Sequence, residues 1–323
     1  MRIDVHAHLW TDDYLDLLVR YGKTSAEEHR GLGADATARD LDARFMMMDA
    51  AGVDLQVLSA SPQLPTFAEE PHAVEAARHV NDLYADIVRE HPGRFAAFAA
   101  VPLPHVEAAL DELGRALDDL GMIGAAVATS TLGRSIADPA WDPLFAELDR
   151  RGSVLYVHPA GCGADSPLIS PYNITWMIGA PVEDTIAAAH LIISGIPSRY
   201  PNMKIINSHL GGALPMLVQR MDNQFRWQVP ATPETPSIAA KRMWSDTVSH
   251  AHAPALRCAC DSFGADRLLL GTDFPYESGD LFQRAVDYVA QSRLADRDAE
   301  RILDTNATHV LGLDRAGTRL ANT

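Results

Sequence analysis

The sequence predicts an α/β chain folded as a (β/α)8 TIM barrel, with insertions over its C-terminal face. Three observations predict it. Eight short apolar runs recur along the 323 residues, stretches of helical period separate them, and there is no low-complexity segment or fixed-period repeat. The candidate strands are residues 2–8 (RIDVHAH), 54–60, 95–101, 123–128, 153–158 (SVLYVH), 203–208 (MKIINS), 245–250 (SDTVSH) and 267–272 (RLLLGT). An open doubly wound sheet is the alternative arrangement of the same elements.

The helical patterns fall at 37–51, 72–91, 106–120, 141–151, 181–195, 214–227, 253–263 and 280–291, with a last one near 297–304. In "HVEAALDELGRALDDLG", Val106, Leu110, Leu113, Leu117 and Leu120 form one stripe. "DPAWDPLFAELDRRG" opens on Asp138 followed by Pro139 and stops at Gly152, a cap at each end. Residues 10–36 and 160–180 show no period and are expected to be lid or insertion segments of a single domain spanning 1–323.

Composition excludes several functions. At 47% hydrophobic and 22% charged residues the chain is ordinary globular protein. A formal net charge of −16 argues against nucleic acid or an anionic membrane surface as partner. No apolar run approaches the roughly 18 residues a membrane span needs, and the N-terminus lacks a signal pattern. Cys162, Cys258 and Cys260 are odd in number and lack CxxC spacing, which points to a reducing cytoplasm.

The chemistry begins at "DVHAH". On a strand, His6 and His8 point to one side and Ile3 and Val5 to the other. Two imidazoles aimed at one point suit a divalent metal. His158, His209, His250 and Asp273 also end or follow apolar strands. In a barrel those ends share one face, where active sites are built. A single histidine after a strand is an ordinary loop residue; six such groups at the ends of five strands make a site.

These segments, "DVHAH", "LYVHP", "INSHLGGALP" and "LLLGTDFPYE", resemble the amidohydrolase superfamily. The branch they resemble contains aminocarboxymuconate semialdehyde decarboxylase and related aromatic-acid decarboxylases. The resemblance runs from Arg2 to "NATHVLGL". It implies one divalent metal ion, with zinc the first choice and manganese possible, held by His6, His8, His158 and Asp273. Strand 4 has no lysine to bridge a second ion. It implies His209 as general acid/base; Asp273 is the other catalytic candidate, as a proton acceptor if the reaction is hydrolytic. It also implies that Arg220, eleven residues beyond His209, binds a substrate carboxylate across a homodimer interface.

Arg44 is a weaker candidate for that contact, since a helical arginine at this place is expected to face solvent. The loop carrying Tyr172, Asn173 and Trp176 is expected to line the substrate pocket. Met46–Met48 read as core packing, and His252 as a loop residue. Two departures bear on the substrate. Phenolic-acid decarboxylases of this branch read H-x-G-E after the strand 6 histidine, where this chain has Gly212. The aminocarboxymuconate type has a tryptophan after "HP", where this chain has Ala160. The implied function is non-oxidative decarboxylation of a small aromatic or unsaturated carboxylic acid. Metal-dependent hydrolysis or hydration, for example of a lactone, uses the same residues and stays open.

Overall fold

The computed structural model describes residues 1–161 and 168–313. Eight strands pair in chain order, every pair parallel: β1 (Ile3–His8), β2 (Leu55–Ser59), β3 (Phe95–Ala100), β4 (Gly124–Ala128), β5 (Val154–His158), β6 (Lys204–Asn207), β7 (Trp244–Asp246) and β8 (Leu268–Leu269). Parallel neighbours require crossovers, and helices supply them. The main ones are α1 (Asp12–Arg20), α2 (Ala38–Ala51), α3 (Glu70–Glu90), α4 (Val106–Asp118), α5 (Asp142–Arg151), α6 (Ala180–Ser194), α7 (Leu214–Gln228), α8 (Ala253–Phe263) and α9 (Asp280–Gln291).

The barrel closes beyond the end of β8. Backbone amides of Val5 and His8 donate to the carbonyls of Leu270 and Phe274 at 2.9 and 2.8 Å, and Asp273 donates to His6 at 2.9 Å. That seam carries Asp273 alongside the two N-terminal histidines. The strands are buried on both faces, as a barrel wrapped in helices requires.

Below the histidines a buried polar chain ties the seam together. Asp4 points the same way as His6 and His8, as strand alternation dictates. Its carboxylate accepts from the Thr272 hydroxyl (2.6 Å), the Thr272 amide (3.0 Å), the His6 amide (3.1 Å) and Gln56 Nε2 (2.7 Å). Arg44, on α2, donates from Nε to Gln56 Oε1 at 2.6 Å and from Nη1 to the His8 carbonyl at 3.0 Å. Its guanidinium lies over the rings of Phe274 and Phe95, 4.5 and 5.2 Å from their centres. Burial pulls its pKa down to about 9, against the opposing pull of Asp4.

Three expectations change. Arg44 does not face solvent; it is 1% exposed and spent on the barrel wall. Residues 10–36 are not without period: Thr11 caps α1 by accepting from the Tyr14 amide, and Tyr14, Leu15, Leu17 and Leu18 are buried. Of the three methionines, Met48 is buried but Met46 is exposed. Of the segment 160–180, residues 168–179 form two short irregular turns with Tyr172, Met177 and Ile178 exposed, while Cys162 lies outside the described residues.

Candidate metal centre

His6, His8, His158 and Asp273 converge at the C-terminal mouth of the barrel, with one donor atom from each lying within 4.8 Å of all the others. All four are buried. Asp273 Oδ1 is 3.1 Å from His6 Nε2 and 3.4 Å from His8 Nε2, and the Nε2 atoms of His6 and His158 are 3.2 Å apart.

Each histidine uses its other nitrogen outward. His6 Nδ1 donates to Asp246 Oδ2 at 2.8 Å, and His158 Nδ1 donates to the Pro159 carbonyl at 2.9 Å. His8 Nδ1 lies 3.1 Å from the Ser59 hydroxyl. A carboxylate and a carbonyl only accept, so His6 and His158 turn lone pairs toward the centre. Lone pairs at this spacing beside a carboxylate call for a cation between them. Three imidazoles and one carboxylate fit a divalent ion with a coordination position left for substrate. Burial and neighbouring imidazoles hold His158 well below the usual histidine range, and burial takes His8 down to about 4. His6 goes the other way: although burial opposes it, with no cation at the centre the Asp246 and Asp273 carboxylates push it up to about 9, so an ion bound there would displace a proton from Nε2.

His209 stands beside this cluster. Its Nδ1 donates to Asp184 Oδ2 at 2.9 Å, and its Nε2 is 3.8 Å from Asp273 Oδ2. Burial would lower its pKa, but Asp184 and Asp273 raise it well above the ordinary value. Asp184 is fixed in turn by the Ser208 hydroxyl at 2.9 Å. The segment from His209 to Gly212 keeps φ positive at four successive residues. Its backbone is held by Asp246 Oδ1, which accepts from the amides of His209 (2.9 Å) and Val248 (3.1 Å).

Two glycines make this geometry possible. A Cβ at Gly271 would lie 2.8 Å from the Asp246 Cβ and 2.9 Å from the His6 Cβ, so a side chain there would push the two partners apart. At Gly212 a Cβ would lie 2.1 Å from the Pro181 carbonyl oxygen, with φ at +64°. A glutamate cannot stand there unless α6 moves; the carboxylate beside His209 comes from α6 itself, as Asp184.

A cavity of about 720 Å³ opens over the cluster. Trp176, Met177, Pro181, Leu210, Val248 and Tyr276 give it apolar walls, and His158, His209 and Asp273 its polar end. Trp176 also borders a second cavity of about 820 Å³, whose lining includes Asn173 and Ala160. Tyr172 lines neither.

The structure gathers five of the six strand-end residues in or beside the cluster and leaves the sixth, His250, away from it on the cavity wall. β7 stops at Asp246, so the expected strand over 245–250 is too long and His250 falls in the loop beyond it, with 77% of its side chain exposed. His252 is likewise exposed, at the start of α8. Arg220 lies exposed on α7, outside the cavity of its own chain. Arg44 lies in the barrel wall and does not line the cavity.

Asp246 and Asp184 escaped sequence reasoning for different reasons. Asp246 is a polar residue ending an apolar strand, the same signal that marked the histidines. Asp184 sits in the first turn of a helix, where an acid is common for reasons unrelated to catalysis.

Residues 3–313 match the family model described as amidohydrolase. Gamma-resorcylate decarboxylase from Rhizobium sp. is 32% identical over 296 residues, 85% of this chain and 88% of that protein. The 2-amino-3-carboxymuconate-6-semialdehyde decarboxylase of Dictyostelium discoideum is 27% identical over 336 residues, 97% of this chain and 92% of that one. Among solved structures, a dihydroxybenzoic acid decarboxylase from a Polaromonas species, with bound manganese and the inhibitor 2-nitroresorcinol, superposes with a TM-score of 0.80 at 27% identity, covering 96% of each chain. This chain belongs to the amidohydrolase family.

Proposed function

We propose that this chain is a carboxy-lyase, a metal-dependent, non-oxidative decarboxylase of small aromatic carboxylic acids. One observation carries the reading: the converging Nε2 and carboxylate donors lie beside His209, a histidine backed by its own carboxylate, under an apolar-walled cavity with ample room for a substituted ring. The decarboxylase relatives support it.

A divalent ion held by His6, His8, His158 and Asp273 would supply a Lewis acid that grips and polarises a substrate oxygen. Zinc suits three imidazoles; manganese is the alternative that the manganese-bound neighbour supports. The protein's own residues do the rest. Apolar walls hold the ring and exclude water. His209 Nε2 delivers a proton to the ring carbon bearing the carboxylate. The bond to that carboxylate then breaks, CO2 leaves, and its electron pair restores the aromatic ring. Asp184 keeps Nδ1 protonated so that Nε2 is the working atom.

We propose further that Arg220 serves a partner's cavity in a homodimer. It makes no ion pair with another described residue, and it follows exposed Met216 and Leu217 on α7. Met177, Ile178, Val182 and Ile186, on and before α6, are also exposed. An apolar face of this kind fits a two-fold contact. The free thiols of Cys258 and Cys260 fit the expected cytoplasmic setting.

The deciding experiment is CO2 release by metal-loaded protein from hydroxybenzoates and amino-muconate acids, run beside lactone opening. Lactone opening without CO2 release would favour hydrolysis and overturn the reading. Metal analysis names the ion. For Arg220, chains carrying Arg220→Ala are mixed with chains carrying His158→Ala, and partial recovery of activity is expected. Mixed dimers without recovery would overturn the shared site.

A further inference from the structure

The cavity has a second polar place, away from the metal ligands. His250 lines the cavity, and its Nδ1 lies 3.4 Å from Glu277 Oε1. Glu277 is 2% exposed, and its Oε1 has no hydrogen bond of good geometry within the protein. A buried carboxyl oxygen left in this state is uncommon in folded proteins, and here His250 is the side chain it faces. Glu277 is anchored by its amide, which donates to the Asp273 carbonyl at 3.2 Å. The neighbouring Ser249 hydroxyl is already engaged with the Tyr288 hydroxyl at 3.1 Å.

The backbone under His250 is unusual. His250 has φ +51° and Ala251 φ +57°, two successive residues with a Cβ in the left-handed region. Such conformations persist where the surroundings over-determine them, and they gather at ligand sites. Here the turn brings the imidazole to the cavity.

We infer that His250, positioned by Glu277, recognises a ring hydroxyl on the substrate's edge remote from the reacting carboxylate. With Nδ1 turned to Glu277, Nε2 is the ring nitrogen left for a ligand. A phenolic hydroxyl both donates and accepts, so it suits Nε2 in either tautomer. Apart from Ser249, already engaged with Tyr288, and the Tyr276 hydroxyl, the side chains of the remaining walls are apolar, so this contact discriminates between ring acids that the metal end would grip alike. His250 acts by contact with substrate, and Glu277 is a positioning residue. The inference rests on the decarboxylase reading for its ligand class.

The test compares the parent with His250→Ala, His250→Gln and Glu277→Gln, all metal-loaded. The ligands are ortho-hydroxybenzoates with and without a further hydroxyl at ring positions 3 to 5. Isosteres with nitro in place of the carboxylate are titrated calorimetrically, since they bind without turnover. For acids carrying the remote hydroxyl, His250→Ala is expected to raise KM, and the isosteres' Kd, about tenfold with kcat little changed. For acids lacking it, the change should stay under twofold. Glu277→Gln should follow the same pattern at about threefold, and His250→Gln should recover part of the loss. A uniform loss across the panel, or none, overturns the inference. If the parent releases no CO2 but its isosteres still show the hydroxyl-dependent difference, the activity reading falls and the recognition pair stands. If the parent binds no isostere, both fall.

Discussion

The floor and the rim of the cavity are built to different standards. On the floor, His6, His158 and His209 each carry an outward hydrogen bond to a fixed acceptor, and Asp246 alone serves His6, His209 and Val248. Along the rim, Trp176 is 47% exposed and Met177 74%, and both belong to an irregular turn. Such a division suits an enzyme whose chemistry tolerates no displacement and whose substrate range is set by surfaces free to vary. A catalytic group must be held to within a fraction of an ångström, and that takes a chain of buried partners. A ring resting against a wall needs only shape and dryness.

The largest expected effect lies at the centre of the floor. His158→Ala should remove both the bound ion and activity, read by metal analysis and CO2 release; retention of stoichiometric metal would show that the donor set is wrong. Next is His209→Ala, which should keep the metal and lose 10²–10⁴-fold in kcat, the usual range for a general acid/base. Loss of metal with that change would move His209 among the ligands.

One layer out, Asp184→Asn should lower kcat about 10–100-fold, the range for partners that orient a working histidine. It should leave metal content intact. An unchanged kcat would mean that the helix dictates the His209 ring without its carboxylate. The smallest effect belongs outside the cavity, on the exposed face of α6. Ile186→Ser, on an exposed face of α6, should change folding stability by no more than about 0.5 kcal/mol. Its expected consequence is weaker self-association, read by sedimentation. A strongly destabilised monomer would show that this outer face is as built-in as the floor.

Much of the floor was legible from residues alone. His6, His8, His158, His209 and Asp273 each interrupt or end an apolar strand, and the barrel inference places strand ends together. The same rule misread His250, because it could not tell where β7 stops. That strand ends at Asp246, where the carboxylate turns to His6 and takes the next backbone amides. Helices with stripes and caps were legible nearly to the residue: 253–263 and 280–291 coincide with α8 and α9. Residues 10–36 hide their order because α1 spans only nine residues and a single threonine, Thr11, caps it.

By itself the sequence determined the alternation of strands and helices, which favours a barrel over an open doubly wound sheet, and the strand ends that carry the site; the closing seam between β1 and the chain beyond β8 belongs to the tertiary structure. The alternation and the strand ends follow from local period and from the geometry of parallel connection, which a single chain displays without its partners in space. Only the tertiary structure decided which polar residues do which work. Arg44 looks like a surface helix residue until its guanidinium is found on Gln56 and the His8 carbonyl. Asp184 looks like a helix-start acid until α6 is packed against the turn at Gly212. Hydrogen-bond partners from distant segments are set by how elements pack, and no local pattern encodes that distance.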